Sequence, residues 1–177
     1  MKLVAENDRI LIKKCIPFDF ENPVMDPYEL SDTLQKIRRE GGGIGLAAPQ
    51  VGIDTQALVI GMGNFETKET QEFEQIFFNP VITSFGEETV LVVEGCLSFP
   101  GLFIKVRRPK DIVMEWYTEE DTWATQNFGE MTSRILQHEV DHLNGITFLT
   151  RAHRHHLLKA KKDRKLSDRR RKRIEEE

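Results

Sequence analysis

Cysteine is scarce in this 177-residue chain: only Cys15 and Cys96 occur. One disulfide at most can form, which disfavours a cysteine framework and favours a reduced, cytoplasmic setting. Long apolar runs are missing too. No stretch approaches the roughly 18 apolar residues of a membrane span, so no membrane partner is expected. The opening residues MKLVAENDRI lack the apolar centre of a signal peptide, because acid and base interrupt them early. No internal repeat is visible, and no GK[ST] exists to support a phosphate-binding loop. What is present is 39% hydrophobic and 31% charged residues, the balance of a soluble globular domain.

The net charge of −4 conceals an asymmetry. Arg151 to Glu177 carries twelve Lys/Arg against five Asp/Glu, leaving thirteen against 24 in the first 150 residues. An acidic body with a basic tail suggests separate tasks, the tail's involving a polyanion. We therefore divide the chain into a main domain over 1–150 and a basic, helical extension over 151–177.

Asp26-Pro27 reads as a helix start, with Leu30, Leu34 and Ile37 at helical spacing and Gly41-Gly42 as the stop. Strands are expected over Gln56–Gly61, Ile76–Thr83, Glu87–Val93, Phe103–Arg108 and Asp111–Tyr117. Few helices separate them, which favours antiparallel pairing and an α+β fold. A second helix is expected over Gly129–Asn144. A third is expected over Ala152–Ile174, with Leu157, Leu158 and Leu166 as its thin apolar face.

The second helix carries His138-Glu139-Val140-Asp141-His142. Imidazoles four residues apart project from one helix face, and Glu139 lies close enough to reach a water held by a metal. Two surface histidines would be the alternative. The run HEVDHLNGITF follows the metzincin pattern until Phe148 stands where a third histidine belongs, and a benzene ring cannot ligate a metal. No glutamate occurs between His142 and Glu175, which disfavours peptidases with a downstream glutamate ligand. The third ligand then comes from upstream, or from His153, His155 and His156, where a solvated role fits better. Upstream, Cys96 in Glu94-Gly95-Cys96-Leu97-Ser98 could complete a His2Cys site with an open fourth position. A lone cysteine is more often a small buried apolar residue. Cys15 competes, but only Cys96 has a glycine beside it.

The segment Gly41 to Gln50 contains GxGxxA, yet a helix precedes it where a dinucleotide fingerprint needs a strand. It reads as a flexible turn, or as an extended edge approaching substrate, with Gln50 offering an amide N–H to an oxyanion.

Taken together, GIGLAAPQ (43–50), EGCLS (94–98) and HEVDH (138–142) resemble, in order, the three signature motifs of the peptide deformylases. The resemblance implies antiparallel sheets packed around the HExxH helix and removal of the formyl group from N-formylmethionyl nascent peptides. It implies one divalent metal ion, natively Fe²⁺ in many members, with Zn²⁺, Ni²⁺ or Co²⁺ as substitutes. Cys96, His138 and His142 would be its ligands. Glu139 would move protons, while Gln50 and the Leu97 N–H would stabilise the oxyanion. Ile44, Gly45 and Gly95 would contact substrate. Two departures from the family pattern stand out. Phe103 occupies the place of a frequent arginine, and Arg134 stands where apolar pocket residues are common, so that it either lines the pocket or turns outward. Arg108 and Asp141 are expected to pair behind the HExxH helix.

The resemblance extends to the tail, since some members use a basic C-terminal helix to dock on ribosomal RNA. A solvated helix is the equal alternative, and no DNA partner is expected. Two other functions compete with deformylation: a metallopeptidase cutting internal bonds, and a non-catalytic RNA-binding module with a structural metal.

Overall fold

The computed structural model describes residues 1–62 and 73–175. Helix α1 (Pro27–Glu40) begins where the sequence places it. Asp26 accepts hydrogen bonds from the N–H groups of Tyr28 (3.0 Å) and Glu29 (3.1 Å), satisfying donors that a helix start leaves open. Leu30, Leu34 and Ile37 form its buried stripe. Gly41 caps the end and Gly42, with φ +66°, turns the chain away.

Seven strands follow: β1 (Gly45–Ala47), β2 (Ala57–Met62), β3 (Phe73–Phe85), β4 (Thr89–Glu94), β5 (Ile104–Pro109), β6 (Ile112–Tyr117) and β7 (Trp123–Phe128). Among the described residues they make a five-stranded sheet ordered β1-β2-β3-β6-β7 and a separate β4-β5 pair, antiparallel throughout. The five strands expected from sequence all form, with ends shifted by a few residues. Strand β7 was not anticipated, and β1 realises the extended edge that was one of two readings of its segment. β7 reads WATQNF, and most of its side chains face solvent, so its pairing partner β6 rather than its own pattern makes it a strand.

Alternation along β2 and β3 places the large sheet between two helices. Leu58, Ile60 and Phe77 pack with Ile135, Leu136, Val140 and Leu143 of α2 (Glu130–Leu143). Ala57, Val59, Ile76 and Phe78 point the other way, onto Leu30, Leu34 and Ile37 of α1. Each such fully buried side chain contributes about 1.5–3 kcal/mol relative to exposure. Helix α2 is thus buried along most of its length, which carries its polar residues inside as well.

The glycine-rich segment is fastened by one buried cation. Arg38 donates to Gln35 Oε1 (2.7 Å), to the carbonyls of Gly43 (2.8 Å) and Gly61 (3.2 Å), and to Glu74 (2.5 Å). This ties α1 to the loop before β1 and to the end of β2.

The expected third helix forms, its ends shifted by two residues or fewer, and a short helix that was not anticipated precedes it. Phe148–Arg151 forms a single turn, α3, then Ala152 is extended, and α4 runs Arg154–Glu175. Its anticipated apolar face is corrected: Leu158 and Leu166 are exposed. Leu157 and the buried Ala160 instead pack with Leu11, Phe99, Ile104 and Val106. Among the described residues no helix is long and apolar enough to cross a membrane.

Candidate metal centre

Three side chains from two elements meet in front of α2. Helical spacing puts His138 and His142 on one face, their ring centroids 5.1 Å apart. Cys96, in the turn after β4, brings Sγ to 3.3 Å from His142 Nε2. The ligand atoms of Cys96, His138 and His142 all lie within 4.8 Å of one another, the one such triple of metal-binding side chains among the described residues. The competing candidates fall elsewhere. Cys15 is buried beside Ala47, Leu58 and Leu143, with its thiol pushed up to about 11 chiefly by burial. His153, His155 and His156 stand at the start of α4. Phe148, which took the place of a metzincin histidine, packs 5.6 Å from the His138 ring and steadies it instead.

Behind the imidazoles runs a chain of buried charges. Glu94 accepts from Arg108 through both oxygens (2.5 and 3.0 Å) and contacts His138 Nδ1 at 2.9 Å. Burial disfavours charge on Glu94, yet the bonds from His138 and Arg108 prevail and hold its carboxyl down to about 2. An ionised carboxylate only accepts, so His138 Nδ1 carries the shared proton and Nε2 is left for the site. The expected Arg108–Asp141 pair is present at 2.8 Å. Sequence reasoning missed two members of this chain, Glu94 and Arg151, which donates to Asp141 at 2.5 and 3.1 Å. Glu94 could have been found, because it opens the EGCLS motif on the inward face of a strand. Nothing in the sequence tied Arg151 to Asp141.

The donor set suits a divalent cation. One sulfur and two imidazoles converge, as in His2Cys sites with a free fourth position. His138 resists the lowering effect of burial and is raised to about 10 by Cys96, Glu94 and Glu139, so this environment favours positive charge. His142 is lowered well below its ordinary value by burial and by His138, which keeps it a neutral donor.

Glu139 lines the same cleft. Its carboxyl is buried, and Oε2 has no hydrogen-bond partner among the described residues. Burial pushes it up to about 7, against the lowering influence of His138 and Arg108. Gly45 explains how so much of α2 approaches β1. A Cβ at Gly45 would stand 2.9 Å from Glu139 Cδ, inside any tolerable contact. Only glycine leaves that carboxylate its place.

Gln50 is pinned at both ends: Oε1 accepts from the Ala47 N–H (2.8 Å), and Nε2 reaches Ser98 Oγ (3.1 Å) and Cys96 Sγ (3.4 Å). The Leu97 N–H has no partner among the described residues. Strand β1 is an edge of the large sheet. The Gly61 N–H bonds to the Ile44 carbonyl, so alternation turns the N–H and C=O of Gly45 away from β2, to the open side. These groups, together with Ile44, Gly95, Phe103 and Arg134, line a single cleft of about 560 Å³ that contains His138, Glu139 and Cys96.

Known proteins share this arrangement. The family described as polypeptide deformylase matches residues 1–157. The peptide deformylase of Synechocystis sp. is 40% identical over 130 residues, covering 70% of this chain and 68% of its own. That of Karelsulcia muelleri is 32% identical over 149 residues, covering 84% and 76%. Among solved structures, the Plasmodium falciparum peptide deformylase superposes with a TM-score of 0.83 at 31% identity, over 97% of both chains. The Acinetobacter baumannii enzyme bound to Met-Ala-Ser does so with 0.77 at 30% identity, over 85% of this chain and 97% of that one. With the motifs, the fold and the three converging side chains in agreement, the chain belongs to the peptide deformylase family.

Proposed function

We propose that this chain hydrolyses the formamide of N-formylmethionyl peptides, releasing formate and a free amine. The observation that carries this reading is the buried Glu139, its Oε2 unpartnered among the described residues, sharing with Cys96 and His138 of the Cys96–His138–His142 triple one cleft bordered by an open strand edge.

Cys96, His138 and His142 would hold one divalent metal ion, which polarises a bound water and the formyl oxygen. A thiolate with two imidazoles accepts Fe²⁺, Zn²⁺, Ni²⁺ or Co²⁺, and we take Fe²⁺ as the native ion. The substrate pairs as an extra strand against Gly45, and its methionine side chain extends past Ile44 with Gly95 opposite. As water oxygen adds to the formyl carbon, Glu139 accepts its proton. Glu139 then returns that proton to the amine nitrogen as the C–N bond breaks. A carboxyl poised near 7 can do both. Negative charge developing on the formyl oxygen is met by Gln50 Nε2 and the Leu97 N–H. The Leu97 N–H is uncommitted among the described residues, whereas Gln50, held through Oε1 by the Ala47 N–H, turns one Nε2 hydrogen from Cys96 Sγ to the developing charge. Glu94 and Arg108 orient His138, as partners behind a metal ligand commonly do.

Residues 1–150 carry this chemistry in the cytoplasm, and 151–177 form the extension. Lys161, Lys165, Arg169 and Lys172 line one flank of α4 together with Asp168 and with Arg164, which pairs with Glu6, a net-basic surface suited to ribosomal RNA phosphates.

Glu139→Ala is expected to retain metal yet lose about 10²–10⁴-fold in formate release from formyl-Met-Ala-Ser. Substantial residual turnover would contradict the assigned role. Cleavage of an unformylated peptide at a comparable rate would favour a metallopeptidase instead. Arg108→Ala should weaken metal retention by about 10- to 100-fold in a chelator competition; unchanged retention would remove it from the site's support. Truncation after Ala160, which spares the packed start of α4, should reduce co-sedimentation with ribosomes at low salt. Co-sedimentation unaffected by the truncation would reject the docking role.

A further inference from the structure

We propose that Arg134 is a specificity-determining residue that recognises an acidic side chain on the second or third residue of the formylated peptide. This inference rests on the deformylase reading and adds a substrate preference to it.

Among the residues lining the cleft, Arg134 is the one lysine or arginine. It is half-buried and makes no ion pair or hydrogen bond among the described residues. The isolation is informative, because other cations near the site are committed: Arg108 binds Glu94 and Asp141, and Arg151 binds Asp141. Glu130, four residues earlier on α2 and in register to pair with Arg134, contacts Lys110 at 3.2 Å instead. Glu94 is occupied by His138 and Arg108. The guanidinium therefore faces the cleft with its donors uncommitted.

Its position suits the chain that follows formylmethionine. Arg134 precedes His138 by four residues, one helical turn or about 6 Å along α2. A peptide extended along β1 advances about 3.4 Å per residue. With the formyl carbon at the Cys96–His138–His142 triple, the next two residues come within reach of a long arginine side chain.

The surroundings strengthen the pairing. Ile135 and Leu97 are apolar residues of the same cleft, and Met131 and Phe103 line it while remaining exposed. The half-buried guanidinium is less fully hydrated than one on an open surface, so a carboxylate gains more from it there. An arginine also offers a planar fork that matches a carboxylate in a two-bond geometry.

The test compares formyl-Met peptides with Asp, Asn or Lys at the second or third residue, using metal-loaded full-length protein. Formate release from formyl-Met-Ala-Ser by the same protein tests the deformylase reading separately. Wild-type kcat/KM should favour Asp over Asn by about fivefold at one of these positions, the scale of one partly screened ion pair. Lys should be the poorest there, and the Asp-to-Asn ratio should shrink as salt rises. In Arg134→Gln and Arg134→Met the ratio should fall to about one, whereas Arg134→Lys should keep part of it. Binding of the product peptides Met-Asp-Ser, Met-Ala-Asp and their Asn counterparts should show the same order without turnover. A wild-type ratio near one at both positions would overturn the proposal. So would a preference for Asp that survives in both neutral variants.

Discussion

The guanidinium of Arg108 is the point on which the metal centre depends. It is buried on β5 and binds Glu94 of β4 on one side and Asp141 of α2 on the other. Glu94 in turn fixes the His138 ring, and Asp141 reaches Arg151 at the end of α3. Four elements are thus joined through alternating charges. Burying such groups is costly unless each finds its partner, and removing one leaves its neighbours uncompensated, at about 3–5 kcal/mol. The network is therefore weak evidence for extra stability and better evidence for a requirement of precise placement. Together with the Gln137 bond to the Pro109 carbonyl, it holds the β4-β5 pair, and with it Cys96, in place against α2.

A second constraint acts on the opposite wall of the cleft. Helix α2 and strand β1 approach so closely that a methyl group at position 45 would collide with Glu139. The same proximity buries Glu139 and raises its carboxyl to about 7. It also aligns the outward-facing backbone of Gly45 beside the reacting groups. One missing side chain thereby lets the fold place the proposed proton carrier, Glu139, against the proposed docking edge at Gly45. Arg38 holds this arrangement from behind through the carbonyls of Gly43 and Gly61.

Much of this was legible in the sequence where the signal was local. Asp26-Pro27 marked a helix start, five strands showed their pattern, and HEVDH announced its own geometry through helical spacing. The glycine-rich segment was ambiguous because a turn and an edge strand share the same residues, and only pairing with β2 makes Gly45–Ala47 a strand. β7 escaped because its polar side chains carry no alternation. The single turn α3 escaped because four residues carry no helical periodicity, and Leu158 and Leu166 offered a false apolar face to α4. At the site, the Arg108–Asp141 pair was anticipated, while Glu94 and Arg151 depend on contacts distant in sequence. Arg134 was conspicuous as a residue type, but its lack of a partner is visible only in three dimensions.

X-ray absorption on anaerobically loaded protein tests the central claim most directly, namely that Cys96, His138 and His142 hold one metal ion with an open position. With Zn²⁺ bound, the account predicts one sulfur at about 2.3 Å, two imidazole nitrogens at about 2.0–2.1 Å and one exchangeable oxygen. The sulfur shell should vanish in Cys96→Ala and persist in Cys15→Ala. A spectrum without sulfur, or with a fourth protein ligand in place of the oxygen, would contradict it.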